Sequence, residues 1–207
     1  MDQSDLDAIG RSVRPVLDGR FKARERGLTN SRKVIRASAN AIRSLHRGQT
    51  EQAEELMAEA QGLLEEAMTA LSGHQAILHA GFIGDAAKEY AEARLTAALF
   101  AGDRLPLPDD LGIDPVPYMH GLGEAVGECR RRLLDTLRRG DLDLAESLLA
   151  SMDSIVDLMA DLDYPDGMTS GLRRTTDVSR SLVERSRSDL TATAVQERLR
   201  RDLERHL

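Results

Sequence analysis

The chain has 207 residues, 41% of them hydrophobic, which is enough for one domain with a sizeable core. Aromatic residues make up only 3% and tryptophan is absent, which argues against a base-stacking platform as the main nucleic-acid device. No apolar run approaches the roughly 20 residues that a membrane span needs. The formal net charge of −7 does not by itself suggest a polyanion binder.

The single cysteine, Cys129, excludes a disulfide framework within the chain and points to a reducing compartment. The segment MDQSDLDAIGRSV is acidic and polar and lacks the basic and apolar regions of a signal peptide. A cytoplasmic protein is therefore expected.

A 3.6-residue period runs through almost every segment, and none reads as a strand. The first helical region spans Asp5 to Arg26, with Pro15 as a kink or break. Thr29 to Ser31 offer caps for a second helix that ends at Gly48 and carries Val34, Ile35, Ala41, Ile42 and Leu45 on its apolar face. Thr50 is a suitable N-cap for a third, whose stripe includes Leu56, Met57, Leu63, Leu64 and Leu71, with Gly73 to end it. The fourth, from Gln75 to Phe100, is apolar on most sides, as a helix buried in a domain or an assembly is. A loop from Gly102 to Asp114 follows. Asp114-Pro115 is an N-cap with an N1 proline for the fifth helix, which runs to Arg139 and is closed by Gly140. A sixth starts at Asp141, the turn Tyr164-Pro165-Asp166-Gly167 follows, and a seventh spans Met168 to Leu190, with a short polar helix after it. The expected fold is all-α, a seven-helix antiparallel bundle in one domain over residues 1–207.

Charge is spread unevenly over this scaffold. From Arg11 to Arg47 there are eleven basic and two acidic residues, a net +9, which leaves −16 for the rest of the chain. Such asymmetry suits an element that faces a polyanion, although a solvated helix paired with acidic neighbours would look the same.

Carboxylates at i,i+3 or i,i+4 share a helix face, where a hard cation can bridge them. Glu51/Glu54, Glu55/Glu59, Asp153/Asp157 and Asp157/Asp161 have that spacing on helices with an obvious polar face, and read as solvated. Two other groups stand in apolar surroundings: Asp85, Glu89 and Glu92 on the fourth helix, and Glu124 and Glu128 in PYMHGLGEAVGE on the fifth. The latter stretch carries Gly121, Gly123 and Gly127, and a glycine inside a helix costs about 1 kcal/mol relative to alanine. That cost is accepted where another helix or a ligand comes close. Mg²⁺ or Mn²⁺ would neutralise the carboxylates; pairing with arginines of the first two helices would do so as well.

These residues also carry a resemblance. Ala23-Arg24-Glu25, Ser31-Arg32, Ile35-Arg36, Ala41-Ile42 and His46-Arg47-Gly48 resemble the N-terminal motif of the translin/TRAX family. Lys88-Glu89-Tyr90-Ala91-Glu92-Ala93 is similar to the E-Y-x-E-A of TRAX. Pro117-Tyr118, Gly121-Leu122 and Gly127-Glu128 resemble its D-Y-L-x-G to G-E-L-x-R region, and Gly140-Asp141 its G-D. Leu172-Arg173-Arg174, Asp177, Val183-Glu184 and Asp189-Leu190 resemble its closing helix. The matches cover nearly the whole chain, in order.

The resemblance implies a translin-type fold assembling into a hollow, barrel-like octamer of identical chains. It implies binding of single-stranded RNA, and of single-stranded DNA; the lack of a long apolar run separately argues against a membrane partner. For TRAX-type subunits it implies a Mg²⁺-dependent endoribonuclease site of four carboxylates. The E-x-x-E pair falls on Glu89 and Glu92, and the D-x-x-x-E pair on Glu124 and Glu128, as ligands of Mg²⁺ or Mn²⁺ and catalytic groups. Glu124 departs from the pattern, standing where TRAX has aspartate; the extra methylene displaces the carboxylate by roughly 1.5 Å. Arg24, Arg32 and Arg36 are the expected RNA contacts, with Arg130 and its neighbours Arg131 and Arg132 beyond Glu128 as further ones. His46 and His120 read as capping or packing residues, although His120 sits one turn before Glu124. Cys129 reads as a core thiol. A non-catalytic RNA- or DNA-binding scaffold and a purely structural helical bundle remain alternatives, separated from the enzyme by whether the four carboxylates converge.

Overall fold

A computed structural model describes residues 3–205. Within them there are six long helices and three single-turn ones, and there is no strand. In chain order they are α1 (Gln3–His46), α2 (Thr50–Leu71), α3 (Gln75–Leu78), α4 (Phe82–Ala101), α5 (Pro108–Leu111), α6 (Pro115–Arg138), α7 (Leu142–Asp161), α8 (Asp166–Thr169) and α9 (Leu172–Glu204).

Where the sequence indicated two N-terminal helices, the structure has one of 44 residues. Pro15 lies in the exposed half of α1, where a carbonyl deprived of its helical donor is solvated. Gly27 does not break the helix. It lets α1 pass close to its neighbours, because a Cβ there would lie 2.8 Å from Leu71 and 3.2 Å from Phe82. The seventh helix likewise continues beyond Leu190 to Glu204, while the fourth is interrupted at residues 79–81, leaving α3 as a separate turn.

Local chemistry accounts for several boundaries. The Asp114 side chain accepts from the Val116 N–H at 2.8 Å with Pro115 in the first turn, which starts α6. Asp141 accepts from the Leu144 N–H at 3.1 Å and starts α7.

The helices bury one main cluster. Val34 of α1, Leu64 and Leu71 of α2, Tyr90 and Leu95 of α4, Leu122, Val126, Cys129 and Leu133 of α6, Met152 of α7 and Val183 of α9 all belong to it. The helix α4 is therefore buried mainly within its own chain, between α1, α2 and α6. The exposed apolar residues lie elsewhere. Leu6, Ile9, Val13, Val16, Leu17 and Phe21 stripe the first half of α1, and Val195, Leu199 and Leu203 stripe the end of α9. No described helix is long and apolar enough to cross a membrane.

Candidate metal centre between two helices

The centre begins with a close helix crossing. A Cβ on Gly121 would lie 2.7 Å from the Lys88 carbonyl oxygen, 2.8 Å from the Ala91 Cβ and 2.9 Å from the Glu92 nitrogen. Only glycine permits α6 to approach the backbone of α4 this closely. The next small residue, Gly123, faces Thr175 and Met159, so α9 and α7 close in on the other side.

That crossing brings carboxylates from the two helices together. Oxygens of Glu89, Glu92 and Glu124 all lie within 4.8 Å of one another. Lys88 joins the helices, its Nζ 2.6 Å from a Glu124 oxygen and 3.2 Å from a Glu89 oxygen. Glu92 is only 9% exposed, and among the described residues it accepts no hydrogen bond and forms no ion pair. Burial, then the nearby carboxylates of Glu124, Glu89 and Glu128, push its pKa up to about 8, against a smaller opposing effect of Lys88. For Lys88, burial acts to lower the pKa, but Glu124 and Glu89 outweigh it and hold the ammonium above its ordinary range.

The fourth acid is placed differently. Glu128 lies near enough to raise the Glu92 pKa, yet its carboxylate is engaged by the His46 ring and is 3.9 Å from Arg131. The His46 side chain is 6% exposed and packs edge-on against Phe100, their centroids 5.1 Å apart. The Arg132 guanidinium covers that same Phe100 ring at 4.3 Å. His46 is a packing residue, as its sequence suggested, and it also holds Glu128. Asp85, on the α4 face named with the acids, is exposed and outside the trio.

Of the arginines singled out from sequence, Arg24 pairs with Glu25 at 2.9 Å on the surface. Arg32 and Arg36 are exposed, and among the described residues neither forms an ion pair. Arg130 donates to Ser186 and Asp189, each at 2.9 Å, and so ties α6 to α9 rather than standing free. His120 links α6 to the turn and helix beyond: its Nε2 is 2.9 Å from the Thr169 carbonyl and its Nδ1 2.9 Å from the Thr175 hydroxyl. Both ring nitrogens are thus occupied away from the carboxylates. Cys129 is a core thiol whose pKa burial pushes up to about 12.

Two residues escaped the sequence reading as site components. Lys88 was visible only as part of a motif; its neighbour at Glu124 is 36 positions away. Arg174 lines a cleft of about 410 Å³ together with Glu92, Glu124, Gly127 and Thr175. A larger groove, about 820 Å³, adjoins this cleft at Gly127 and is lined by Arg130, Arg131 and Arg138 with Asp135 and Asp189.

The donor set suits a hard divalent cation: three carboxylates converging from two helices, one of them buried without a partner among the described residues. An uncompensated carboxylate in that position is costly, and an ion or a proton must offset it.

No family model matches the chain. Solved structures do. A crystal structure of AfC3PO, from Archaeoglobus, is 32% identical with a TM-score of 0.81, spanning 90% of this chain and 97% of that one. The structure of an AfC3PO–duplex RNA complex is 31% identical with a TM-score of 0.78, spanning 90% and 96%. Apo-NeC3PO, from Neurospora, shares the fold at 18% identity and a TM-score of 0.75, over 93% of this chain and 99% of that one. An uncharacterized protein of Methanocaldococcus jannaschii is 24% identical over 190 residues, covering 91% of this chain and 84% of the relative. Nearly full-length similarity to AfC3PO, together with the ordered motifs and the all-helical architecture, establishes that the chain belongs to the translin/TRAX family.

Proposed function

We propose that the protein binds RNA and hydrolyses its phosphodiester bonds with the help of a divalent metal ion. The observation that carries this reading is Glu92, a nearly buried carboxylate with no hydrogen bond among the described residues, lying within 4.8 Å of Glu89 and Glu124. These three would hold Mg²⁺ or Mn²⁺. When bound, such an ion lowers the pKa of a coordinated water and stabilises charge on phosphoryl oxygens.

The chain's own groups supply the rest. Burial of Glu92 keeps bulk water from one side of the cluster and strengthens its attraction for a cation. Lys88 fixes the Glu89 and Glu124 carboxylates relative to each other across the helix crossing. His46 orients Glu128, which then acts as a charged neighbour rather than a member of the trio. Arg174 on the cleft wall, and Arg131 and Arg138 in the adjoining groove, present cationic donors that suit a phosphate backbone. These are more directly placed for a strand reaching the carboxylates than the exposed Arg24, Arg32 and Arg36, which would serve as outer contacts.

AfC3PO has been captured with duplex RNA. For this chain we expect RNA to bind in single-stranded and, more weakly, in duplex form. Titration of both with purified protein at two salt concentrations tests this; affinity unchanged by salt would remove the arginines from the binding surface. Cleavage of labelled single-stranded RNA with Mg²⁺, and none with chelator, is the decisive assay. Salt-sensitive binding without cleavage would instead identify a non-catalytic scaffold.

We further propose that the protein works as a homo-oligomer, an octamer as its family resemblance implies. The support is the unpartnered apolar stripes on α1 and α9. Light scattering that returns a monomer at micromolar concentration would refute it.

A further inference from the structure

We propose that Lys88 is a built-in cation of the carboxylate cluster, occupying one of two cation positions so that the cluster takes a single divalent ion. The inference rests on the reading of Glu89, Glu92 and Glu124 as a metal centre.

The geometry is that of a bridging ion. Lys88 Nζ lies 2.6 Å from one carboxylate on α6 and 3.2 Å from another on α4, distances at which an ammonium donates charge-assisted hydrogen bonds to both. Glu92 is within 4.8 Å of both acids, yet among the described residues Lys88 forms its ion pairs with Glu89 and Glu124 and not with Glu92. The lysine thus closes one side of the cluster and leaves the side of Glu92 open for a second cation.

Its position is built, not incidental. The Lys88 carbonyl oxygen lies at the tightest point of the α4–α6 crossing, 2.7 Å from where a Gly121 Cβ would be. Its backbone cannot retreat without parting the helices. The ammonium is compact and offers three donors, so it can bridge two acids at once.

Charge counting leads to the same stoichiometry. The ionised trio carries −3, and Lys88 reduces this to −2, which one divalent ion neutralises. Glu128 adds little, because His46 and Arg131 already engage it. Two divalent ions beside the ammonium would leave the half-buried cluster strongly positive. Lys88 therefore acts as a positioning residue: it sets how many ions the site holds and how tightly.

The test is direct Mn²⁺ binding to the purified full chain, by electron paramagnetic resonance of free Mn²⁺ and by calorimetry. Wild type should bind one Mn²⁺ per chain. Lys88→Met should bind Mn²⁺ roughly tenfold tighter or more, or take a second ion, because a like charge within the cluster is gone. Lys88→Arg keeps the charge and should stay near the wild-type affinity. In chelator, Lys88→Met should melt at lower temperature than wild type and recover more on adding Mn²⁺. Two Mn²⁺ per wild-type chain would overturn the proposal whether or not the variants fold. So would equal stoichiometry and affinity in wild type and Lys88→Met, with the metal centre itself still standing. No Mn²⁺ bound by wild type or either variant would remove the metal centre, and the proposal with it.

Discussion

The acidic pairs of α2 and α7 share their spacing with those of α4 and α6, but the structure puts them in opposite surroundings. Glu54 meets Arg94 at 2.6 Å with its side chain 61% exposed, and Asp153 accepts two hydrogen bonds from Arg187 at 2.6 and 2.7 Å. Glu51, Glu55, Glu59, Asp157 and Asp161 face solvent. On α4 and α6, by contrast, Glu89, Glu92 and Glu124 converge with a lysine among them and, among the described residues, no arginine paired to them. The lesson is that an i,i+3 or i,i+4 interval only places two acids on one face. Whether they become ligands depends on what that face meets, and here it meets a second helix drawn close by Gly121.

The largest expected difference between the two classes is chemical. Glu89→Gln, Glu92→Gln and Glu124→Gln each keep size and hydrogen bonding but remove the charge a hard cation requires. Each should lower metal-dependent RNA cleavage by roughly 100-fold or more, while Asp153→Asn and Glu54→Gln leave it unchanged. Glu128→Gln should cost less, about 10-fold, since Glu128 stands outside the trio. Single-turnover cleavage rates check all of these variants. Equal losses in both classes would erase the distinction.

Next comes the crossing itself. Gly121→Val would drive a side chain into the α4 backbone and should destabilise the fold by about 1–3 kcal/mol while weakening Mn²⁺ binding. At Gly62, on α2, an added Cβ would meet nothing within 4 Å. There Gly62→Ala should raise stability by about 1 kcal/mol, through helix propensity alone. Urea unfolding of the two variants measures the contrast.

A smaller effect is expected with pH. Because the Glu92 pKa is raised from 4.5 to about 8, the folded state disfavours the ionised form that the unfolded chain adopts freely. The metal-free protein should be most stable below about pH 4.5 as far as Glu92 is concerned, and lose up to a few kcal/mol as pH rises towards 8. Glu92→Gln should flatten that slope, and saturating Mg²⁺ should oppose it. Asp153→Asn should leave it as it is. Chemical denaturation at a series of pH values, with chelator, decides.

The smallest effect should come from the solvated pairs. Glu54→Gln and Asp153→Asn should each change stability by less than about 1 kcal/mol, because exposed ion pairs are screened and entropically costly.

The long first helix shows how far a linear reading reaches. Its period was legible, but Pro15 and the cap candidates at Thr29 to Ser31 read as punctuation. Proline at an exposed position costs little that water cannot replace, and Gly27 is explained by Leu71 and Phe82, which lie far along the chain. The apolar excess of α4 invited an explanation by self-association. The structure spends it on the chain's own core and leaves the unpartnered stripes at the ends of α1 and α9.

What the sequence determined by itself was everything carried by local periodicity and ordered motifs. That includes the all-helical fold, the N-cap at Asp114, the start of α7 at Asp141, and the apolar stripes of α2, α4 and α7. Tertiary structure alone decided that Glu89, Glu92 and Glu124 meet while Glu128 turns to His46, that Arg130 is committed to Asp189, and that Lys88 stands inside the cluster. The reason is physical. Helix period and capping are set by neighbours within about four residues, which the sequence displays directly. Coulomb energy and desolvation depend instead on distances between helices, and those follow from which side chains let two backbones approach.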